Sequence, residues 1–323
     1  MERQIFRKSS LPDMQKAYSY SGLSRLASAP FSSEDVSSDT TSSEKRTPIS
    51  ARNNPEARAI FRKSSKTFYN CALLFPEEIQ ADIFKLYSFL RIVDDCVDSI
   101  PSRAKDLYDF MAMCQKGYAK NEVVANFLFV AHKYHFDPAW VEAFFESMES
   151  DLNPRARQTI DETLKYTYGS AEVVGLMMSK IMGVDEKGWK YAKLQGRAFQ
   201  WINFIRDIKE DNELGRLYFP LEDLDKFDLK DLSAEQALDN TLNFTNFINF
   251  QLNRYHYWQA EAEKGYQYIP SGCQLPVRSA AGLYKYTAKV IANDPLVVFR
   301  RKVKPSKIRI QRLVQLAPAL PRL

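Results

Sequence analysis

The sequence predicts an all-α protein: one helical domain over residues 54–323, preceded by a disordered Ser-rich leader over 1–53. Three observations predict it. Apolar residues recur at helical intervals through most of the chain. Prolines fall between the periodic segments rather than within them. The alternating, β-branched runs that a sheet needs are largely absent.

The leader comes first. Residues 1–50 hold 13 serines and one glycine, with few large aliphatics after Leu26. The stretch 32–45 is Ser, Thr and acid and cannot bury enough apolar surface to offset its ordering entropy. A Ser-rich leader suggests organelle targeting, but Glu34, Asp35, Asp39 and Glu44 are acidic where such peptides are not. The hexapeptide Ile-Phe-Arg-Lys-Ser-Ser occurs at 5–10 and again at 60–65, one echo without a repeat architecture.

From residue 54 the pattern is helical. Segment 77–98 carries apolar residues at 79, 83, 86, 90, 93 and 97, and comparable periodicity recurs over 104–119, 122–135, 138–150, 159–182, 186–211, 233–264 and 276–292. Pro76, Pro101, Pro138, Pro154, Pro220, Pro270, Pro276 and Pro295 are expected to punctuate these segments.

Composition excludes several classes. With 45 basic and 40 acidic residues the net charge is +5, too small an excess for a nucleic-acid binder. Much of it sits in a C-terminal run of Arg300, Arg301, Lys302, Lys304, Lys307, Arg309 and Arg312, a solvated surface with some attraction for anionic lipid headgroups. Cys71, Cys96, Cys114 and Cys273 have no CxxC spacing, which points to a reducing compartment. No run reaches the roughly 18–20 apolar residues of a membrane span. A cytoplasmic location, peripheral to a membrane at most, is expected, with organelle targeting by the leader left open. His132 and His135 stand at i, i+3, but with His256 the only other histidine they read as surface. Neither a Gly-x-Ser-x-Gly elbow nor a P-loop occurs.

Two segments carry more than packing requires. Tyr87, Arg91, Asp94 and Asp98 fall at i, i+4, i+7 and i+11 on one helix face, with Asp95 adjacent. Gln200, Asn203, Asp207 and Asp211 repeat that arrangement at i, i+3, i+7 and i+11, beside Arg206 and Glu210. Carboxylates one turn apart repel each other, and near a helix C-terminus the macrodipole disfavours them further. Either cluster alone is an ordinary solvated helix end. Two that match point to magnesium and a diphosphate, since hard oxygen donors without histidine suit that ion.

Arg-Ile-Val-Asp-Asp-Cys-Val-Asp at 91–98 and Gln-Trp-Ile-Asn-Phe-Ile-Arg-Asp-Ile-Lys-Glu-Asp at 200–211, followed by Gly-Arg-Leu-Tyr-Phe-Pro at 215–220, resemble the signatures of the squalene/phytoene synthase family. Ser-Lys-Thr-Phe-Tyr at 65–69 and Tyr-Gly-Ser-Ala-Glu-Val-Val-Gly at 168–175 look like family segments too. The likeness runs over about 58–305 and is greatest to the microbial phytoene synthases.

The resemblance implies a single-domain isoprenoid-synthase helical bundle round a deep apolar cavity, with two acidic helices facing each other at its mouth. Asp94, Asp98, Asp207 and Asp211 would bind Mg²⁺, or Mn²⁺. Tyr87 and Arg91 would join them in catalysis. Arg91, Arg206, Arg216 and Tyr218 would contact diphosphate oxygens, Gln200 and Asn203 would line the upper cavity, and Ser65 with Lys66 would close over a diphosphate. The implied reaction joins two geranylgeranyl diphosphates to phytoene through a cyclopropylcarbinyl diphosphate. The alternatives are a squalene or dehydrosqualene synthase acting on farnesyl diphosphate, with NADPH in the squalene case, and a non-catalytic assembly factor. Terpene cyclases and head-to-tail prenyltransferases also use Asp-rich helices, but the 207–220 context is unlike theirs.

Val173, Val174, Leu176, Met177, Ile181 and Met182 are expected along one cavity wall, with Gly169, Ala171 and Gly175 allowing a bend or a close approach by substrate. Ala72, four residues after Phe68, would leave depth for a C20 tail. Nothing in the sequence specifies an oligomeric state.

Overall fold

The computed structural model describes residues 54–306 and 309–310, and among these it holds fifteen α-helices and no strand. The leader over 1–53 lies outside the described residues, as do Lys307 and Arg312 of the basic run.

Side chains placed to cap them start many of the helices. Asn54 opens α1 (Pro55–Ser64) by accepting a hydrogen bond from the Ala57 N–H at 2.9 Å. Ser65, the last residue of the second hexapeptide copy, ends α1 and caps α2 (Lys66–Ala72). The long α3 (Glu77–Asp98) buries Ile83, Leu86, Phe89, Val93 and Val97. Next come α4 (Ala104–Lys116), stopped by Gly117 at φ 66°, then α5 (Glu122–Lys133) capped by Asn121 and α6 (Pro138–Ser150) capped by Asp137.

The expected helix over 159–182 is divided. Thr159 caps α7 (Ile160–Thr167), a π-helical turn occupies Tyr168–Glu172, and α8 (Val173–Met182) follows. The expected bend is therefore present at Gly169, in the conformation that single-turn distortions often take at functional sites. The close approach is made by neighbouring helices. A Cβ on Gly169 would lie 2.1 Å from the Ala143 carbonyl oxygen of α6.

Segment 186–211 is also broken. α9 (Glu186–Arg206) ends at Asp207, and α10 (Ile208–Glu213) resumes directly. Asp207 leaves the helical region at φ −102°, ψ 14°, while the N–H of Asp207 bonds to Asn203 and that of Asp211 to Asp207, both at 2.8 Å. The acidic face thus continues across a one-residue junction. α11 (Leu221–Lys226) and α12 (Ala234–Asp239) are short, and a break at Asn240 separates α12 from α13 (Thr241–Glu263). α14 (Ser271–Asn293) starts earlier than expected and holds Pro276 inside it, which forfeits one main-chain hydrogen bond near the helix start. α15 (Val297–Arg300) closes the series.

Two aromatic-rich cores result. One joins α1 to α6 with α8, around Phe89, Phe127, Phe144 and Phe145. The other surrounds Trp201, Phe204, Phe219, Phe247 and Tyr255 on α9 and α13. Helix α9 meets α8 and the π-helical turn before it through two glycine notches. A Cβ on Gly175 would lie 2.4 Å from the Ala192 carbonyl oxygen, and one on Gly196 would lie 2.3 Å from that of Ala171.

Gly196→Ala is accordingly expected to destabilise the fold by about 2 kcal/mol. A drop of roughly 4–8 °C in Tm, measured by calorimetry, would match that cost for a domain of this size. An unchanged Tm would mean that α9 and the π-helical turn do not approach this closely.

Candidate functional site: an acidic rim over an apolar cavity

A cavity of about 410 Å³ lies between the helices, bounded by α2, α3, α6, α8, α9 and α14. Tyr87, Arg91 and Asp94 of α3 and Gln200 and Asn203 of α9 line it, as expected. So do Phe68 and Ala72. Of the expected wall only Val174 and Met182 face it, joined by Gly175, Met178 and Ser179. Val173, Leu176, Met177 and Ile181 turn the other way into the core, because consecutive helical residues point about 100° apart. None of the three histidines lines the cavity.

Asp94, Asp98 and Asp207 are each paired with a cation, but unequally. Arg91 pairs with Asp94 at 2.8 Å and also with Asp95. Asp98 accepts from Arg216 Nη1 at 2.6 Å, and Arg216 Nη2 donates to the Val97 carbonyl at 2.9 Å. Arg216 follows Gly215, whose φ of 67° turns the chain back so that the Arg216 N–H bonds to the Asp211 carbonyl at 2.8 Å. The second acidic segment is thereby tied to the first. The Arg216 Nε is buried without a partner.

Asp207 is chelated by Arg206, Nε to Oδ1 at 2.8 Å and Nη2 to Oδ2 at 2.5 Å. Lys302 stands 3.0 Å from Asp207 and 3.4 Å from Glu210. Burial acts to raise the Asp207 pKa, yet the Arg206 bonds and the Arg206 and Lys302 charges hold it below the usual carboxylate range. The opposite holds for two neighbours. Burial and the charge of Asp98 push Asp94 up to about 7 against the pull of Arg91. Burial and the charge of Asp207 push Asp211 up to about 8 against that of Arg216.

Four contributors were not legible in the spacing. Asp151, just past α6, is buried and accepts from the Tyr166 hydroxyl at 2.6 Å and the Tyr218 hydroxyl at 3.1 Å. Arg157 stacks over those rings, 4.2 Å from the Tyr166 centroid and 5.4 Å from that of Tyr218. Tyr284 donates to Asn203 Oδ1 at 3.0 Å and fixes the amide's orientation. Lys302 belongs to the basic run expected at the surface, where its reach to Asp207 had no signal. Tyr218 thus serves Asp151. Ser65 caps α2, accepting from the Phe68 N–H, and Lys66 is exposed.

Among the described residues no three His, Cys, Asp or Glu side chains are gathered as a ready metal cage. The donor chemistry nevertheless fits magnesium, which is held by one or two carboxylates together with substrate phosphates and water. Carboxyl pKa values raised by like charge mark sites short of a counter-ion.

A helical bundle around an apolar cavity, with two acidic, arginine-bearing segments at its rim, is the architecture of the isoprenoid-synthase class. The chain belongs to the squalene/phytoene synthase family, whose model matches residues 61–309. Membership makes it a prenyltransferase of isoprenoid biosynthesis, in a family that condenses prenyl diphosphates head to head with the help of a divalent cation. It is 28% identical over 268 residues to the 15-cis-phytoene synthase of Synechocystis, covering 76% of this chain and 78% of that one. The 15-cis-phytoene synthase of a Paracoccus species is 27% identical, with 76% and 84% covered. Phytoene synthase 1, chloroplastic, of Arabidopsis thaliana is 28% identical, with 76% and 61% covered. Among solved structures, a dehydrosqualene synthase superposes with a TM-score of 0.73 at 22% identity, covering 82% of this chain and 94% of that one. Squalene synthase HpnC from Alicyclobacillus acidocaldarius gives 0.62 at 20%, covering 74% and 92%. Those likenesses carry the fold.

The raised carboxyls set a pH dependence. Unfolded, Asp94 and Asp211 lose their protons near 3.9; folded, they keep them to about 7 and about 8. Between those limits the folded state binds more protons, so stability falls as pH rises. The Tm of metal-free protein is expected to decline from about pH 5 to about pH 8, and Mg²⁺ should recover more of it at the upper end. A flat profile would contradict the charge crowding.

Proposed function

We propose that the helical domain over 54–323 condenses two geranylgeranyl diphosphates head to head, through cyclopropylcarbinyl (prephytoene) diphosphate, to phytoene with release of pyrophosphate. The depth of the cavity supports the C20 donor. Its lining along α9 runs from Gly188 to Asn203, about 22 Å at the helical rise of about 1.5 Å per residue. With carbon–carbon bonds near 1.5 Å, an extended isoprene unit advances about 5 Å, so four units need about 20 Å and three about 15 Å. The far end, at Met182, Val184, Gly188, Ile269 and Val277, is apolar. Ala72, with its small side chain, lines the wall below Phe68.

Asp94, Asp98, Asp207 and Asp211 would hold Mg²⁺, with Mn²⁺ as a substitute; bound there, the ion supplies charge neutralisation for a departing pyrophosphate. Arg91, Arg206 and Arg216 add fixed positive charge on the same side, where low dielectric strengthens it. Gln200 and Asn203, the latter held by Tyr284, orient the head of a substrate. Tyr87, stacked on Phe61 at 3.6 Å, presents its hydroxyl next to Arg91. Ser65 and Lys66 at the start of α2 would close over a diphosphate. The Phe68, Leu90, Phe144, Met148 and Phe199 walls keep water from an allylic cation.

Incubation with Mg²⁺ and either geranylgeranyl or farnesyl diphosphate, with and without NADPH, tests this reading. A C40 product from the C20 donor, independent of NADPH, is expected. C30 product alone would transfer the chain to the squalene or dehydrosqualene synthases, and no product from either donor would favour an assembly factor. In the same assay Asp211→Ala is expected to keep its fold and lose about 100-fold or more in turnover.

No helix among the described residues is long and apolar enough to cross a membrane. Contact of the basic C-terminal end with anionic lipid is part of the proposal, and among the described residues it narrows to Arg301 and Lys304, since Arg309 lies over the Tyr286 ring at 4.0 Å. Arg300 pairs with Asp294, and Lys302 with Asp207 and Glu210. Flotation with anionic vesicles, reversed by high salt, is the expected behaviour; indifference to lipid charge would remove the contact.

A further inference from the structure

Asp207 is already engaged by two cations. Its Oδ1 takes Arg206 Nε at 2.8 Å and Lys302 Nζ at 3.0 Å, and its Oδ2 takes Arg206 Nη2 at 2.5 Å. Three of the carboxylate's four lone-pair positions are thus taken by cationic donors, and a divalent ion can sit between Oδ1 and Glu210 only if the Lys302 ammonium leaves.

The two donors differ in how readily they can leave. Arg206 is the last residue of α9, its side chain is 19% exposed, and two parallel hydrogen bonds fix it in place. Lys302 comes from the extended segment after α15, is 34% exposed, and offers one flexible ammonium. The segment is pinned beside the site by Val303, 1% exposed, and by α15 packing on α10. The ammonium can therefore swing away while its backbone stays docked. Lys302 also lies 3.4 Å from Glu210, so it bridges two carboxylates as a divalent ion would.

We propose that Lys302 is a built-in surrogate cation, occupying the position at Asp207 and Glu210 in the ligand-free enzyme that a divalent ion takes on loading. Metal binding and release of Lys302 are then one exchange. The inference rests on Asp207 being a metal ligand. It makes Lys302 a positioning residue, one that keeps the second acidic segment ordered in the absence of metal and competes with metal for Asp207 until a diphosphate arrives.

The test uses Mn²⁺ alone, without substrate, on the full chain. Lys302→Met removes the competing charge, so the Mn²⁺ dissociation constant from calorimetry or electron paramagnetic resonance is expected to fall about fivefold or more. Lys302→Arg should stay near wild type. Because coupling is reciprocal, saturating Mn²⁺ should speed acetylation of Lys302 by an amine-selective reagent, read by mass spectrometry, while that of Lys304 is unchanged.

Equal or weaker Mn²⁺ binding by Lys302→Met would overturn the surrogate role, as would Lys302 acetylation indifferent to Mn²⁺. Asp207→Asn separates this from the underlying assignment. If wild type and Asp207→Asn bind Mn²⁺ alike, measured with inorganic pyrophosphate present where Mn²⁺ alone does not bind, Asp207 is not the ligand and that reading falls with the proposal. If only Asp207→Asn loses the ion, the Lys302 measurement decides.

Discussion

The ion pair from Arg216 to Asp98 is the contact on which the rest of the site depends. It spans two segments more than a hundred residues apart and fixes the end of α3 against the turn after α10. Its second arm, on the Val97 carbonyl, satisfies a helix end that has no intrahelical donor left. Without it, each acidic face would be a separate, self-repelling helix end. With it, Asp211 feels the charges of Asp98 and Asp151 as well as that of Asp207, and Asp151 acts on Asp94 too, so the two acidic segments share a field.

That gathering is tolerable because of what lies below and beside it. Aromatic cores on both sides hold α3 and α9 rigid, and glycine notches at Gly175 and Gly196 bring α9 against α8 and the π-helical turn without intervening side chains. The rigid frame leaves the space between helices unfilled, and that space is apolar. Charge at the rim and hydrocarbon-lined volume beneath it suit a ligand with a diphosphate head and a prenyl tail.

Much of this was legible in the sequence because it is periodic. The all-α class, the faces of Asp94 with Asp98 and of Asp207 with Asp211, and the residues Tyr87, Arg91, Gln200 and Asn203 all follow from helical spacing. The break at Asp207 escaped detection since one non-helical residue leaves the period almost intact. The wall of α8 was half misread: Val173, Leu176, Met177 and Ile181 are as apolar as Val174 and Met182, and only the direction of packing separates core from cavity. Asp151 and Tyr284 stand alone in their segments and Lys302 is one base among several in its run, so no period marks them. They reach the site through tertiary folding.

The charge pattern at the rim also argues for an order of assembly. Where Arg206 and Lys302 stand, Asp207 stays ionised; where only Arg91 and Arg216 oppose several carboxylates, Asp94 and Asp211 hold protons near neutrality. A metal ion arriving alone would have to expel protons from one side and an ammonium from the other. Arriving with a diphosphate, it brings an anion that Arg91, Arg206 and Arg216 can pair with, so the cations displaced from carboxylates are not left unpaired in a low-dielectric site. The rim is therefore better matched to the metal–diphosphate complex than to either component. The chemistry it assists then begins only when a substrate tail already fills the cavity below.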